Sequence, residues 1–123
     1  MARKLIMVID DSASLREVVG ISLRDAGYEV VEACDGKDAL DKLNGRKVQL
    51  MICDVNMPVM DGISFVKEVK HLPRHRFVPI IMLTTESRES RKLEGQIAGA
   101  KAWVVKPFRP EQMLRAVSKL ILP

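Results

Sequence analysis

Five short apolar runs, separated by longer amphipathic stretches, constrain this chain more than any other feature. They lie at Leu5–Ile9, 30–33, 50–53, 80–83 and Ala102–Val105. Several are apolar on consecutive residues, the pattern of strands covered on both faces of a parallel sheet. The stretches between them read as helices. The first is expected to start near Ser14, with Glu17 completing a capping box. Its inner stripe would be Leu15, Val18, Val19, Ser22 and Ala26, and Gly27 its left-handed stop. Further helices are expected over 37–43 (ending near Asn44-Gly45), 63–72 (with Phe65, Val66 and Val69 facing in), 88–97 (ending near Gly99), and from Pro110 onward. A strand–helix unit repeated five times predicts a doubly wound, five-stranded parallel α/β sheet with helices on both faces.

The length of 123 residues fits one domain, 1–123, with no room for a linker or a second unit. The apolar class makes up 47% and charged residues 29%, which excludes a disordered chain. No apolar run approaches the ~20 residues of a membrane span, and the N-terminus lacks a signal-peptide pattern, so a cytoplasmic protein without membrane insertion is expected. The net charge of +4 permits nucleic acid as a partner without implying it, and nucleic-acid binding is not expected. Its basic residues read first as a solvated face. The two cysteines are too few for a disulfide framework or a zinc pattern. His71 and His75 have no acidic or thiol companion for a metal box and read as part of a polar loop bracketed by Pro73 and Pro79.

In open parallel sheets, sites form at the carboxyl ends of the strands. There the sequence places Asp10 and Asp11, Asp54, Thr84 and Thr85, and Lys106 followed by Pro107. Singly, each residue has an ordinary explanation as a helix cap or a solvated charge. Together, at four strand ends, they do not. Two carboxylates about 4 Å apart repel by about 4 kcal/mol at an effective dielectric of 20. Three need a cation, and an all-oxygen set open to water suits Mg²⁺. A divalent ion and an ammonium beside one carboxylate would trap a phosphoryl group and stabilise charge on its oxygens. A carboxylate oxygen can then act as nucleophile and give an aspartyl phosphate. Neither a P-loop nor a dinucleotide fingerprint is present, and the acids after the first strand would repel a flavin phosphate.

The motifs Ile9-Asp10-Asp11-Ser12, Asp54-Val55-Asn56-Met57-Pro58-Val59-Met60-Asp61-Gly62, Leu83-Thr84-Thr85-Glu86 and Val105-Lys106-Pro107-Phe108 resemble receiver domains of two-component signalling. The likeness is closest to the stand-alone CheY-like response regulators and covers essentially the whole chain. It implies the flavodoxin-like strand order 2-1-3-4-5. It implies Asp54 as phospho-acceptor, with Asp11 binding Mg²⁺ directly, Asp10 mainly through water, and Asn56 through its backbone carbonyl. Thr84 would be the switch hydroxyl, Lys106 the partner of the phosphoryl group and of Asp54, and Lys106–Pro107 a cis peptide. Asn56, Thr85 and Glu86 would tune phosphoryl lifetime. Two positions depart from the commoner pattern: Trp103 replaces a switch Tyr or Phe, and Thr85 stands where Ala or Gly is frequent. In the implied strand order the first strand separates Cys34 from Cys53, too far for a disulfide, so both are expected as buried thiols.

The function implied is that of a response regulator, not an enzyme acting on external substrates. It would take a phosphoryl group from a histidine kinase of the CheA type, catalyse its own phosphorylation and dephosphorylation, and switch a protein-binding face. That face would comprise the helix over 88–97, the last strand and the last helix. Its basic residues Arg88, Arg91, Lys92, Lys101, Arg109, Arg115 and Lys119 suit an acidic peptide, for example from a flagellar motor switch protein or a phosphatase. The alternatives are a phosphate sink without effector and a metal-dependent aspartyl-phosphate phosphatase.

Overall fold

The computed structural model describes residues 3–85 and 98–121. The helix expected over 88–97, together with Glu86, lies outside the described residues. Five parallel strands, β1 (Leu5–Ile9), β2 (Glu29–Ala33), β3 (Leu50–Asp54), β4 (Ile80–Thr84) and β5 (Ala102–Val105), form one sheet in the order β2-β1-β3-β4-β5. The described helices are α1 (Ala13–Asp25), α2 (Gly36–Leu43), α3 (Gly62–Val69) and α4 (Pro110–Leu120). The strand order matches the expectation.

Strand alternation divides the interior into two cores. Met7, Ile9, Met51, Cys53 and Met82 point to one face, where they meet Leu43 of α2 and Phe65, Val66 and Val69 of α3. Ile6, Val8, Leu50, Ile52, Ile81 and Leu83 point to the other, against Val19 and Leu23 of α1 and Met113 and Val117 of α4. Every residue of β3 and β4 is buried, which is why these strands read as unbroken apolar runs.

Several local expectations need correction. The N-cap of α1 is Ser12, whose hydroxyl accepts from Leu15 N, while Ser14 lies inside the helix. The buried positions of α1 are Val19, Gly20 and Leu23, and Val18 is 56% exposed. Of the expected stripe, Leu15 and Val19 pack inward, while Gly20 and Leu23 take the inward places expected of Val18, Ser22 and Ala26. The helix expected over 63–72 ends at Val69, and Lys70–Leu72 turn on short-range backbone bonds. His75 is not part of an open polar loop. It is buried and donates from Nε2 to the Arg46 carbonyl at 3.0 Å. Both cysteines are free, but only Cys53 is buried and Cys34 is exposed.

Because all strands run the same way, the loops that enter them share one edge of the molecule and the loops that leave them share the other. The entering segments carry Arg3, Lys4, Arg46, Lys47, Arg74, Arg76 and Lys101. Asp54 ends β3, the segments leaving β1, β2 and β3 carry Asp10, Asp11, Asp35 and Asp61, and the segment leaving β5 carries Lys106 and Arg109.

Candidate functional site

Asp10, directly after β1, is 1% exposed. Each of its polar atoms is engaged. Its N–H donates to Ala33 O at 3.1 Å. Its Oδ1 accepts from Ser12 N at 2.9 Å, and its Oδ2 from Lys106 Nζ at 3.0 Å. Its carbonyl accepts from the Arg16 guanidinium at 2.6 Å. Asp54 ends β3, the central strand, and is 5% exposed. Asp11 is exposed at the mouth. Carboxylate oxygens of Asp10, Asp11 and Asp54 lie within 4.8 Å of one another. Lys106 reaches in from the end of β5 and also donates to Asp54 Oδ1 at 3.3 Å.

The neighbouring segments hold this rim together. Thr84 ends β4, fully buried, and its carbonyl accepts from Lys106 N at 2.7 Å. Lys106–Pro107 is cis. Asn56 and Thr85 are exposed on the segments that leave β3 and β4, and Trp103 is half-buried on β5. The loop after β3 returns to α3 at Gly62, whose N–H donates to Val55 O at 2.8 Å. A Cβ at Gly62 would overlap the Asp54 carbonyl oxygen and approach the Val55 Cα to 2.9 Å. Only glycine lets α3 begin this close to the acidic pocket.

Burial, and after it the Asp10 charge, raise the proton affinity of Asp54, against the opposing pull of Lys106. Burial works against the Lys106 ammonium, but its bond to Asp10 and the charge of Asp54 outweigh this and hold it above its ordinary value. One ammonium thus compensates three clustered carboxylates only in part. The donor set is all oxygen, one ligand is open to solvent, and net negative charge remains, so these residues fit a hard divalent cation such as Mg²⁺. Cys53, fully buried beside Asp54, has its thiol pushed well up by desolvation and is inert packing.

The structure brings together Asp10, Asp11, Asp54 and Lys106. Sequence reasoning paired Lys106 with Asp54 and missed that Asp10 is its shorter contact. It also missed Arg16. The signal available for Arg16 was its place one helical turn beyond Ser12, facing back toward the strand end. Beside the site, an apolar groove of about 340 Å³ runs between α1 and the β5–α4 loop, lined by Leu15, Val18, Thr85, Pro107, Phe108 and Met113. Among the described residues no helix is long and apolar enough to cross a membrane.

A parallel 2-1-3-4-5 sheet with an acidic pocket and a lysine at its carboxyl edge defines the receiver class of signalling domains. The chain belongs to the response regulator receiver domain family, whose profile matches residues 6–118. It is 37% identical over 119 residues to chemotaxis protein CheY1 of Helicobacter pylori, covering 95% of each chain. It is similar to the solved structure of Vibrio cholerae chemotaxis protein CheY4, with 45% identity, a TM-score of 0.93, and coverage of 97% of this chain and 99% of that one. The receiver domain of sensor histidine kinase PA1611 of Pseudomonas aeruginosa, described with a magnesium ion coordinated in its active site cleft, superposes with a TM-score of 0.89 at 28% identity, covering 98% of both chains. The chain is therefore a phospho-accepting response regulator receiver, a signalling protein of two-component type.

Proposed function

We propose that this chain, acting as one receiver domain over 1–123, accepts a phosphoryl group on Asp54 from the phosphohistidine of a CheA-like kinase. The observation that carries the assignment is the placement of Asp54. It ends the central strand, within reach of Lys106 and of two further carboxylates. One Asp54 oxygen attacks phosphorus, the P–N bond of the donor breaks, and the imidazole leaves with the bonding pair and takes up a proton. Lys106 Nζ holds Asp54 Oδ1 beforehand and shifts its hydrogen bond to the incoming phosphoryl oxygens. Asp10 fixes Lys106 from the other side.

Asp10, Asp11, Asp54 and the Asn56 carbonyl would hold Mg²⁺, which when bound neutralises charge on the transferring oxygens. The magnesium described for the PA1611 receiver supports this reading. Thr84 serves as the switch hydroxyl and Trp103 as the switch ring, while Asn56, Thr85 and Glu86 set phosphoryl lifetime by their access to the acyl phosphate. The apolar groove beside Lys106 and Thr85 offers a donor helix a docking surface with its histidine aimed at Asp54. The relatives named chemotaxis proteins support an output partner of the motor-switch kind, read by the β5–α4 face through Lys101, Arg109, Arg115 and Lys119. The protein would work in the cytoplasm.

The test is mass spectrometry after incubation with acetyl phosphate and Mg²⁺. One phosphoryl group is expected on wild type and none on Asp54→Asn; equal labelling of the variant would sink the assignment. Capture of a partner only in the presence of beryllofluoride and Mg²⁺ would separate an effector-binding regulator from a phosphate sink.

A further inference from the structure

Arg16 projects from the first turn of α1 and ends between two elements. One guanidinium nitrogen donates to the Asp10 carbonyl at 2.6 Å, and Nε donates to Glu32 Oε1 of β2 at 3.2 Å. Glu32 is held in turn, since Arg24 approaches its other oxygen at 3.9 Å and Lys42 donates to its carbonyl at 2.7 Å. The Arg16 side chain is 18% exposed and that of Glu32 36%, so their bond is partly screened from water. On the far side of the same residue, Asp10 points its carboxylate into the acidic pocket.

We propose that Arg16 is a positioning residue for the acidic pocket. It braces the Asp10 backbone against β2 through Glu32 and thereby fixes the direction of the Asp10 carboxylate toward a divalent cation. The inference rests on the reading of the pocket as a Mg²⁺ site. A backbone carbonyl held by a guanidinium resists rotation of its peptide plane and so steadies the Cα–Cβ direction of Asp10, from which Ser12 N and Lys106 hold the carboxylate on the pocket side. Partners one step removed from a metal typically alter its affinity about 10- to 100-fold.

The brace and plain electrostatics predict opposite signs. Arg16 is a cation close to a cation site. If it acted by charge alone, Arg16→Ala would remove a repulsion and tighten Mg²⁺ binding. If it acts as a brace, the same change weakens binding. Arg24 supplies the control, because it touches Glu32 without touching Asp10.

The experiment is calorimetric titration of MgCl₂ into wild type, Arg16→Ala, Arg16→Lys, Glu32→Gln and Arg24→Ala, each checked for folding by circular dichroism. The expected result is a Kd raised about tenfold in Arg16→Ala. Arg16→Lys, which keeps a donor for the Asp10 carbonyl, should recover part of the loss. Glu32→Gln should weaken binding less than Arg16→Ala, and Arg24→Ala should stay within twofold of wild type. Unchanged or tighter binding in Arg16→Ala overturns the brace and leaves the metal site standing. Wild type that takes up no Mg²⁺ overturns both. Should Arg16→Ala not fold, Glu32→Gln decides: weakened binding supports the brace and unchanged binding overturns it.

Discussion

At Asp54, burial and the neighbouring Asp10 carboxylate both favour the protonated acid. The folded chain therefore binds that proton more tightly than the unfolded chain does. Stability falls as pH rises from the unfolded carboxylate range through the raised folded value. Asp54→Asn removes this cost, so the metal-free variant should melt at a higher temperature than wild type at neutral pH. Thermal melts in EDTA should show the advantage narrowing as the pH drops below the carboxylate range; a constant advantage would point to packing instead. Lys106 has the same sign of pH dependence in a different window. Its raised folded value contributes stability that is complete below its unfolded value and is lost only as strongly alkaline pH passes the folded one. A second residue carries strain of another kind. Val59 sits at φ 67°, with Met60 N donating back to Pro58 O at 2.7 Å, a γ-turn with positive φ. A β-branched side chain suits that region poorly, whereas glycine enters it without steric cost. Val59→Gly should raise the denaturation free energy by about 1 kcal/mol, measured in urea.

Helix α1 shows how a cap chooses among neighbours. Ser12 and Ser14 are both plausible caps on composition, but Ser12 N is already held by Asp10 Oδ1 and its extended backbone aims its hydroxyl at Leu15 N. Ser12→Ala should cost about 1 kcal/mol in chemical denaturation, and Ser14→Ala far less. The strands were legible to within a residue because burial on both faces leaves continuous apolar runs, as in β3 and β4. The face of α1 was not, because Val18 and Ile21 are apolar yet 56% and 52% exposed, which blurs the stripe that Val19 and Leu23 form. The acidic pocket was legible from residue types at strand ends. The bonds of Arg16 and Lys106 to Asp10 were not, since they depend on side-chain reach across elements distant in sequence. Between β4 and β5, Met82 pairs with Trp103 and Thr84 with Val105. Side chains alternate along each strand, so Thr84 and Trp103 are diagonal neighbours on one face. Beryllofluoride plus Mg²⁺ should therefore change the emission of this single tryptophan beyond the effect of Mg²⁺ alone, and Thr84→Ala should blunt the change. Identical emission in both states would rule out a ring-based switch.

At the scale of the whole molecule, one sheet is the shared wall of two cores, and neither core survives without it. Unfolding should be a single transition, with Trp103 emission and far-ultraviolet circular dichroism superimposable. Phe65, fully buried against the α2–α3 face of the sheet, is a sensitive probe of that coupling. Phe65→Ala should lower stability by about 3–5 kcal/mol while keeping the two signals coincident. Separated transitions would mean that the two faces melt independently.

The parallel sheet also sorts charge. Cations gather on the loops that enter the strands and carboxylates on those that leave β1, β2 and β3. Among the described residues the chain thus separates positive loop charge from negative loop charge roughly along the strands, in addition to its net charge of +4. In the field of a charged partner it experiences a torque before any contact forms, and the torque fades over a Debye length of about 10 Å at 0.1 M salt. A partner that presents positive charge meets the acidic rim already turned toward it, while one that presents negative charge meets the opposite pole. Rotational search for the acidic rim is shortened for the first and lengthened for the second, so the direction of approach is biased by the topology of the sheet as well as by the surfaces that finally touch.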